Sequence, residues 1–333
     1  HLGWDWKAIR KPDPKPQGQG RRKALGPEAY DWSKPVPDGP LAHGFDSYFG
    51  DTVINFPPYA WIVNDRLPRA PDVMMDSSKW KKIKEGNWEC RPGPMASDWD
   101  PYQNIPTTTK RATEFILSRS PDAPNSKAQP WFLYFAFPSP HAPIIPNDPF
   151  DGKSKAGPSG DFVHETDHAC GQILKALKAS GQAESTLVVF TADNGPEKYA
   201  YARDQKFDHW SSQPLRGLKR DIYEGGHHVP FIVRWPGEVP AGNSSPALIS
   251  QIDLFGTIAE IVGFKLPDKA AEDSHNQLPL LTGELTAPPI RTTHIHNTKA
   301  NHYAIRHGDW LLIDGRTGYV SGRNAQWEGK HGY

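Results

Sequence analysis

Three apolar runs of strand length, Trp131–Phe137 (WFLYFAF), Leu187–Phe190 and Val229–Trp235, are separated by amphipathic stretches of helix length. Continuous apolar runs of this kind suit strands buried on both faces. Their alternation with helices implies parallel strands between helix layers. The spacing predicts helices over Thr107–Ser120, stopped by Pro121, and over Asp161–Ser180, closed by Gly181. A third helix is expected from the capping-box-like Ser250-Gln251-Ile252-Asp253 to Gly263. The expected fold is therefore α/β, a mostly parallel central sheet flanked by helices. From about Pro289 onward short alternating stretches such as Tyr303–Ile313 suit the start of a small antiparallel subdomain. The domain reading is 1–288 for the main domain and 289–333 for that subdomain.

Residues 1–105 are different in texture, punctuated by many of the chain's 29 glycines and 34 prolines and holding seven of its 12 tryptophans. Glycine and proline make up roughly a fifth of the chain against a usual share of roughly an eighth, which excludes a helical bundle. With 37% hydrophobic residues the chain has enough to bury a core. The tryptophans are expected to anchor irregular loops, or to line a groove for flat sugar faces. Charges balance at 38 and 38, so no global field favours nucleic acid. No apolar run reaches the 18 or so residues of a membrane span. Cys90 and Cys170 are too few for a disulfide scaffold. The chain starts at His1 with no signal-like segment and reads as a piece of something longer, so location is not legible.

Ligands of open α/β sheets bind beyond the carboxyl ends of the strands. One strand end here runs into Asp193-Asn194-Gly195, a carboxylate beside an amide carbonyl. These are two hard oxygen ligands for calcium or magnesium; the plainer reading is an Asn-Gly turn capped by aspartate. WFLYFAF runs into Pro138-Ser139-Pro140-His141-Ala142-Pro143, whose prolines would hold His141 where it could act as a general acid. Lys219 lies on a glycine-loosened loop, PLRGLK, before YEGGHHVP. It would serve as a point charge for an anion, or be a solvated lysine. His164-Glu165-Thr166-Asp167-His168 matches the H-E-x-x-H zinc protease pattern. Helical arithmetic places His164 and His168 opposite the apolar stripe of Phe162, Val163, Thr166, Ala169, Cys170, Ile173, Leu174 and Leu177, so both are expected in solvent and zinc proteolysis is rejected.

Taken in order, HLG at the start, GFDSYFG, FAFPSPHAP, the helix around Asp167 and Gly171, LVVFTADNG, PLRGLK, YEGGHHVPFIVRWPG and DLFGTIAEIVG resemble the formylglycine-dependent sulfatases of the alkaline-phosphatase-like superfamily. The segments EDSHNQLPLLTGE and AIRHGDWLLI resemble bacterial carbohydrate sulfatases in particular. The resemblance implies that Asp193 and Asn194 are metal ligands for calcium, magnesium being possible. It implies that His141 contacts the sulfate ester and assists the leaving oxygen, that Lys219 binds the sulfate, and that His1 assists turnover. His296 is a further candidate for substrate binding. The family's nucleophile, a formylglycine made from the cysteine of C-x-P-x-R, has no counterpart: Cys90-Arg91-Pro92-Gly93-Pro94 carries proline where the arginine belongs, and Cys170 has no such motif. A cysteine outside this chain is expected to supply it. The implied function is removal of sulfate from a carbohydrate by a periplasmic or secreted enzyme. The alternatives are a phosphodiesterase or phosphonate monoester hydrolase of the same superfamily, and a non-catalytic binder of sulfated glycans. Residues 1–333 alone are expected to be inactive.

Overall fold

The computed structural model describes residues 4–18, 23–80, 85–86, 90–123, 129–283, 289–299, 301–320 and 322–333. His1 and Trp88 lie outside the described residues. The chain divides into two compact units, residues 1–181 and 182–333. Among the described residues no helix is long and apolar enough to cross a membrane.

The first unit begins with loops tied by three two-residue antiparallel ladders. These are β1 (Pro16–Gln17) with β2 (Ala24–Leu25), β3 (Phe49–Gly50) with β4 (Ile62–Val63), and β5 (Val73–Met74) with β6 (Pro94–Met95). Little regular backbone is available here, so aromatic rings make the core. Tyr59 and Trp99 are buried with ring centroids 5.1 Å apart, and Trp80 meets Trp99 edge-on at 5.9 Å. Trp4, Trp6 and Trp32 pack on the same cluster, so the tryptophans anchor loops as expected.

Helix α1 (Asn104–Ser118) buries Ile105, Thr109, Ala112 and Ile116, and it packs on α2 (Pro158–Ala179). The buried face of α2 includes two acids, Asp161 and Glu165. Asp161 accepts bonds from the backbone N–H groups of Gly152, Lys153 and Ser154, at 2.6–2.9 Å. Glu165 accepts from the Asn147 backbone N–H and Nδ2 at 2.9 and 2.6 Å. Once these donors satisfy the carboxylates, the buried stripe rotates towards them. Val163 and Leu174, expected inside, lie at about 100° or more from Phe162 and are exposed.

The apolar run 131–137 departs from expectation. It forms no helix or strand and joins no ladder among the described residues. Phe132 and Tyr134 are 61% and 72% exposed, while Trp131, Leu133, Phe135 and Phe137 are half-buried. Nor is a mostly parallel central sheet confirmed, since every ladder among the described residues is antiparallel. A run of apolar residues reports its length and its capacity for burial; the direction of its partner is not encoded in it.

In the second unit β7 (Val188–Thr191) pairs antiparallel with β8 (Phe231–Arg234), in the register Val188↔Arg234. The two-stranded ladder is only half covered, and Phe190 and Ile232 are exposed rather than buried as expected. Helices α3 (Tyr199–Phe207), α4 (Glu224–His227), α5 (Asp253–Ile261) and α6 (Leu278–Leu281) follow the order of the chain. β9 (Thr293–Lys299), β10 (His302–His307) and β11 (Trp310–Asp314) form an antiparallel meander in the order β11-β10-β9, within the second unit. Helix α7 (Ala325–His331) ends the chain.

Glu328 on α7 is buried among Arg216, Arg323 and Tyr319. The Tyr319 hydroxyl, then Arg323 and Arg216, stabilise its anion against burial and hold its pKa down to about 2. A carboxyl depressed in this way contributes stability that is complete above its unfolded value, about 4.3, and is lost as pH falls towards the folded one. The unfolding midpoint should therefore drop between about pH 5 and about pH 2, and Glu328→Gln should flatten that drop.

Candidate active site

At the end of β7 the chain enters Asp193-Asn194-Gly195, with Asp193 exposed and Asn194 half-buried. Asn194 Nδ2 donates to the Gly195 carbonyl at 2.9 Å, which leaves Oδ1 as the atom able to bind a cation. Gln251 holds the strand end from the side, its Nε2 donating to Thr191 Oγ1 at 2.9 Å and to the Ala192 carbonyl.

A second loop, residues 216–227, lies directly against this strand end. Gly195 N–H donates to the Gly226 carbonyl at 3.0 Å, Lys219 N–H to the Pro196 carbonyl at 2.8 Å, and Gly225 N–H to the Arg216 carbonyl at 2.7 Å. The backbones touch because no side chain separates them. A Cβ on Gly195 would sit 1.8 Å from the Gly225 oxygen, and one on Gly225 would sit 2.0 Å from the Gly217 oxygen. Gly217 itself turns with φ +84, where a side chain would be strained. Gly195→Ala should lower stability by about 1–3 kcal/mol or more, since the clash is with backbone; the midpoint of chemical unfolding reads it.

The turn that carries Lys219 is pinned from beneath. Asp221 is fully buried, and its Oδ2 accepts from Leu218 N–H at 3.0 Å while Oδ1 accepts from Val320 N–H at 2.8 Å. Half-buried Lys219 is thereby set beside the Asp193–Asn194 loop. Glu197, which Arg220 grips through both carboxylate oxygens, faces it. Burial alone would raise the Glu197 pKa. The bonds from Arg220 and Lys198, with the charges of Arg220 and Lys219, outweigh that and hold it below the usual range. His296, on β9, joins the same loop by a 3.0 Å bond from its ring Nε2 to the Ile222 carbonyl.

His141 belongs to the first unit. Its Nδ1 bonds the Ala142 carbonyl at 2.6 Å, so the neutral ring carries its proton there and presents Nε2 as a base. The loop is tied to α2 by Ser139 Oγ and Thr166 Oγ1, 2.5 Å apart.

His164 and His168 are exposed on α2, and Glu165 between them is buried and held by Asn147. A metalloprotease base cannot work from that position. Cys90 Sγ meets the Ile54 carbonyl at 3.5 Å, at the edge of the aromatic core. The Cys170 thiol is pushed up, first by burial and then by the Asp167 charge. Neither cysteine has the setting of an activated nucleophile.

Asp193 and Asn194 fit a hard divalent cation in ligand type, yet they are two oxygens where calcium takes six to eight. Among the described residues no cluster of three or more His, Cys, Asp or Glu side chains is placed to hold a metal. Three contributors were not singled out from sequence: Asp221, Gln251 and His227. Asp221 and Gln251 act in part through backbone groups 99 and 59 positions away, those of Val320 and Ala192, which no local motif marks.

Comparison with known proteins gives a consistent picture. The family model described as Sulfatase matches residues 21–264, and one described as N-sulphoglucosamine sulphohydrolase, C-terminal, matches residues 218–315. The N-acetylgalactosamine-6-O-sulfatase of Bacteroides thetaiotaomicron is 34% identical over 228 residues, 67% of this chain and 42% of that protein. The N-acetylgalactosamine-6-sulfatase of Homo sapiens is 35% identical over 254 residues, 75% of this chain and 44% of that protein. A structure solved in work on the metabolism of multiple glycosaminoglycans by Bacteroides thetaiotaomicron superposes with a TM-score of 0.71 at 26% identity, covering 87% of this chain and 67% of that one. The chain spans less than half the length of the two curated relatives.

Proposed function

The chain belongs to the sulfatase family, and from that premise we propose that its whole protein removes sulfate from a carbohydrate, with 6-sulfated N-acetylgalactosamine the first substrate to test. The observation that supports this reading is the glycine-closed backbone contact between the loop that carries Lys219 and the strand end that carries Asp193 and Asn194. Sulfate-ester cleavage builds negative charge on the leaving oxygen while the sulfuryl oxygens stay anionic, so the site needs fixed positive charge and a proton donor. Lys219 supplies the charge on a loop that cannot shift without breaking the backbone contacts to Pro196 and Gly226. His141, with Nδ1–H held by the Ala142 carbonyl, is assigned the proton for the leaving oxygen, given from Nε2 of the doubly protonated ring. Asp193 and Asn194 would hold calcium, or magnesium, together with ligands from outside this chain. When present, the cation neutralises sulfate charge, and a formylglycine from a cysteine outside this chain supplies the nucleophile. His296 backs the Lys219 loop from β9. We place the enzyme in the periplasm or outside the cell.

The test uses the full-length protein matured by a formylglycine-generating enzyme, with release of inorganic sulfate as the readout. Turnover of the 6-sulfated sugar supports the proposal. Cleavage of a phosphodiester such as bis(p-nitrophenyl) phosphate in preference to sulfate esters sinks it, and so does binding of the sulfated sugar without cleavage. Residues 1–333 alone, lacking C-x-P-x-R, should release no sulfate under the same conditions.

A further inference from the structure

His227 and His296 lie against each other, with ring centroids 4.4 Å apart and planes inclined at 53°. Both are in the second unit, His227 at the end of α4 and His296 on β9. Each ring has one nitrogen committed to a main-chain carbonyl. His296 Nε2 bonds the Ile222 carbonyl at 3.0 Å. His227 bonds the backbone of Asp221, and because its Nε2 has no partner the bonded nitrogen is Nδ1. Two successive carbonyls thus fix two imidazoles as opposite tautomers. A neutral imidazole that donates from one nitrogen has a bare lone pair on the other. The two bare nitrogens, His227 Nε2 and His296 Nδ1, are both buried with no hydrogen-bond donor.

One such nitrogen is tolerable, as at His302, whose Nε2 bonds the Thr317 carbonyl at 2.8 Å while its buried Nδ1 has no partner. Two on rings in contact form a different object, because one cation within reach of both lone pairs would satisfy the two together. The arrangement also has the outer half that metal-binding histidines require, in which the second ring N–H is held by a carbonyl or carboxylate that orients the ring and makes it a better donor. We propose that His227 and His296 form a two-histidine site for a divalent transition-metal ion, zinc being the probe. It is separate from the hard-oxygen pair Asp193–Asn194, which suits calcium and does not suit a borderline-soft ion. No third His, Cys, Asp or Glu joins the pair among the described residues. His294, half-buried and stacked 6.0 Å from His296, is the nearest further ring. Bound there, the ion would tie β9 to the loop that carries Lys219.

The test is made on the full-length protein in calcium-containing buffer, so that hard-oxygen ligands are already occupied. His164→Gln and His168→Gln are introduced together as the background, because two exposed histidines one helical turn apart can chelate by themselves. The protein is dialysed against micromolar zinc and the bound metal is counted; cobalt is then substituted and its visible absorption recorded. The expected result is about one zinc per chain and the ligand-field bands of tetrahedral cobalt. His227→Gln or His296→Gln should weaken binding by roughly tenfold or more, and His302→Gln should leave it unchanged. No bound zinc, or zinc retained equally in His296→Gln, overturns the site. If neither variant folds, the cobalt spectrum of the background protein decides: tetrahedral bands support the site and their absence overturns it. Sulfatase activity is not the readout, so the site stands or falls independently of the proposed function.

Discussion

Lys219→Ala in the matured full-length enzyme should lower kcat for a sulfated sugar by about 10²–10³-fold, the usual loss when one preorganised charge-stabilising group is removed. The side chain is deleted without disturbing its support, because the contacts that hold this turn are made by backbone. Lys219 N–H still reaches the Pro196 carbonyl, and Asp221 still accepts from Leu218 and Val320. Lys219→Arg keeps the charge but replaces a compact ammonium with a broad planar fork, and should recover only part of the rate. If Lys219→Ala turns over at the unaltered rate, the anion-binding role is wrong.

Asp253→Asn should destabilise the second unit by about 3–5 kcal/mol, the range for a buried ion pair that loses one partner. Asp253 and Arg291 are 2% and 5% exposed, and they pair through both guanidinium and carboxylate edges. The same carboxylate accepts from Ser250 N–H, His275 N–H and Gln277 Nε2, each at 2.9 Å. Burial alone would raise its pKa, but Arg291 and the backbone donors hold it below the usual carboxylate value. Its contribution is therefore complete above about pH 4 and is lost as pH falls further. An amide in its place offers one oxygen to five donors and leaves Arg291 buried with uncompensated charge. Denaturant unfolding followed by a probe in residues 182–333 measures the loss. The double variant Asp253→Asn with Arg291→Met should recover much of it, because the unpaired cation is then gone.

Much of this architecture is legible before any coordinates. Gly181 and the apolar spacing of Phe162, Thr166 and Ala169 place α2 within a few residues of its observed end. Ser250 and Asp253 mark the start of α5 through half of a capping box, Asp253 accepting from Ser250 N–H. The alternation in Tyr303–Ile313 appears as β10 and β11. The run WFLYFAF was misleading because its pattern is the same whether or not a ladder forms beside it, and here its odd and even positions are covered unequally. Val163 and Leu174 were misplaced because two acids took the inner face of α2, and a hydrophobicity pattern has no way to anticipate carboxylates saturated by backbone donors. Asp193, Asn194 and Lys219 were readable as motifs. The backbone contact between the strand end that carries Asp193 and Asn194 and the loop that carries Lys219 depends on Gly195 lying on Gly225 and Gly226. The His227–His296 contact depends on two neighbouring carbonyls of a turn that joins distant segments.

The bonds from Lys219 to Pro196 and from Gly225 to Arg216 have an evolutionary consequence. They close the base of the excursion that holds α3 and Trp210, so the path from Glu197 to Leu215 leaves and returns at nearly one point. A lengthened, shortened or exchanged segment between Glu197 and Leu215 would leave both of these bonds in place, provided it still joins its two flanks across the same gap and Glu197 keeps its grip on Arg220. Natural selection, or an engineer grafting a loop from a relative, can therefore change what surrounds this chemistry without rebuilding it, whereas a single methyl group at Gly195 would be rejected.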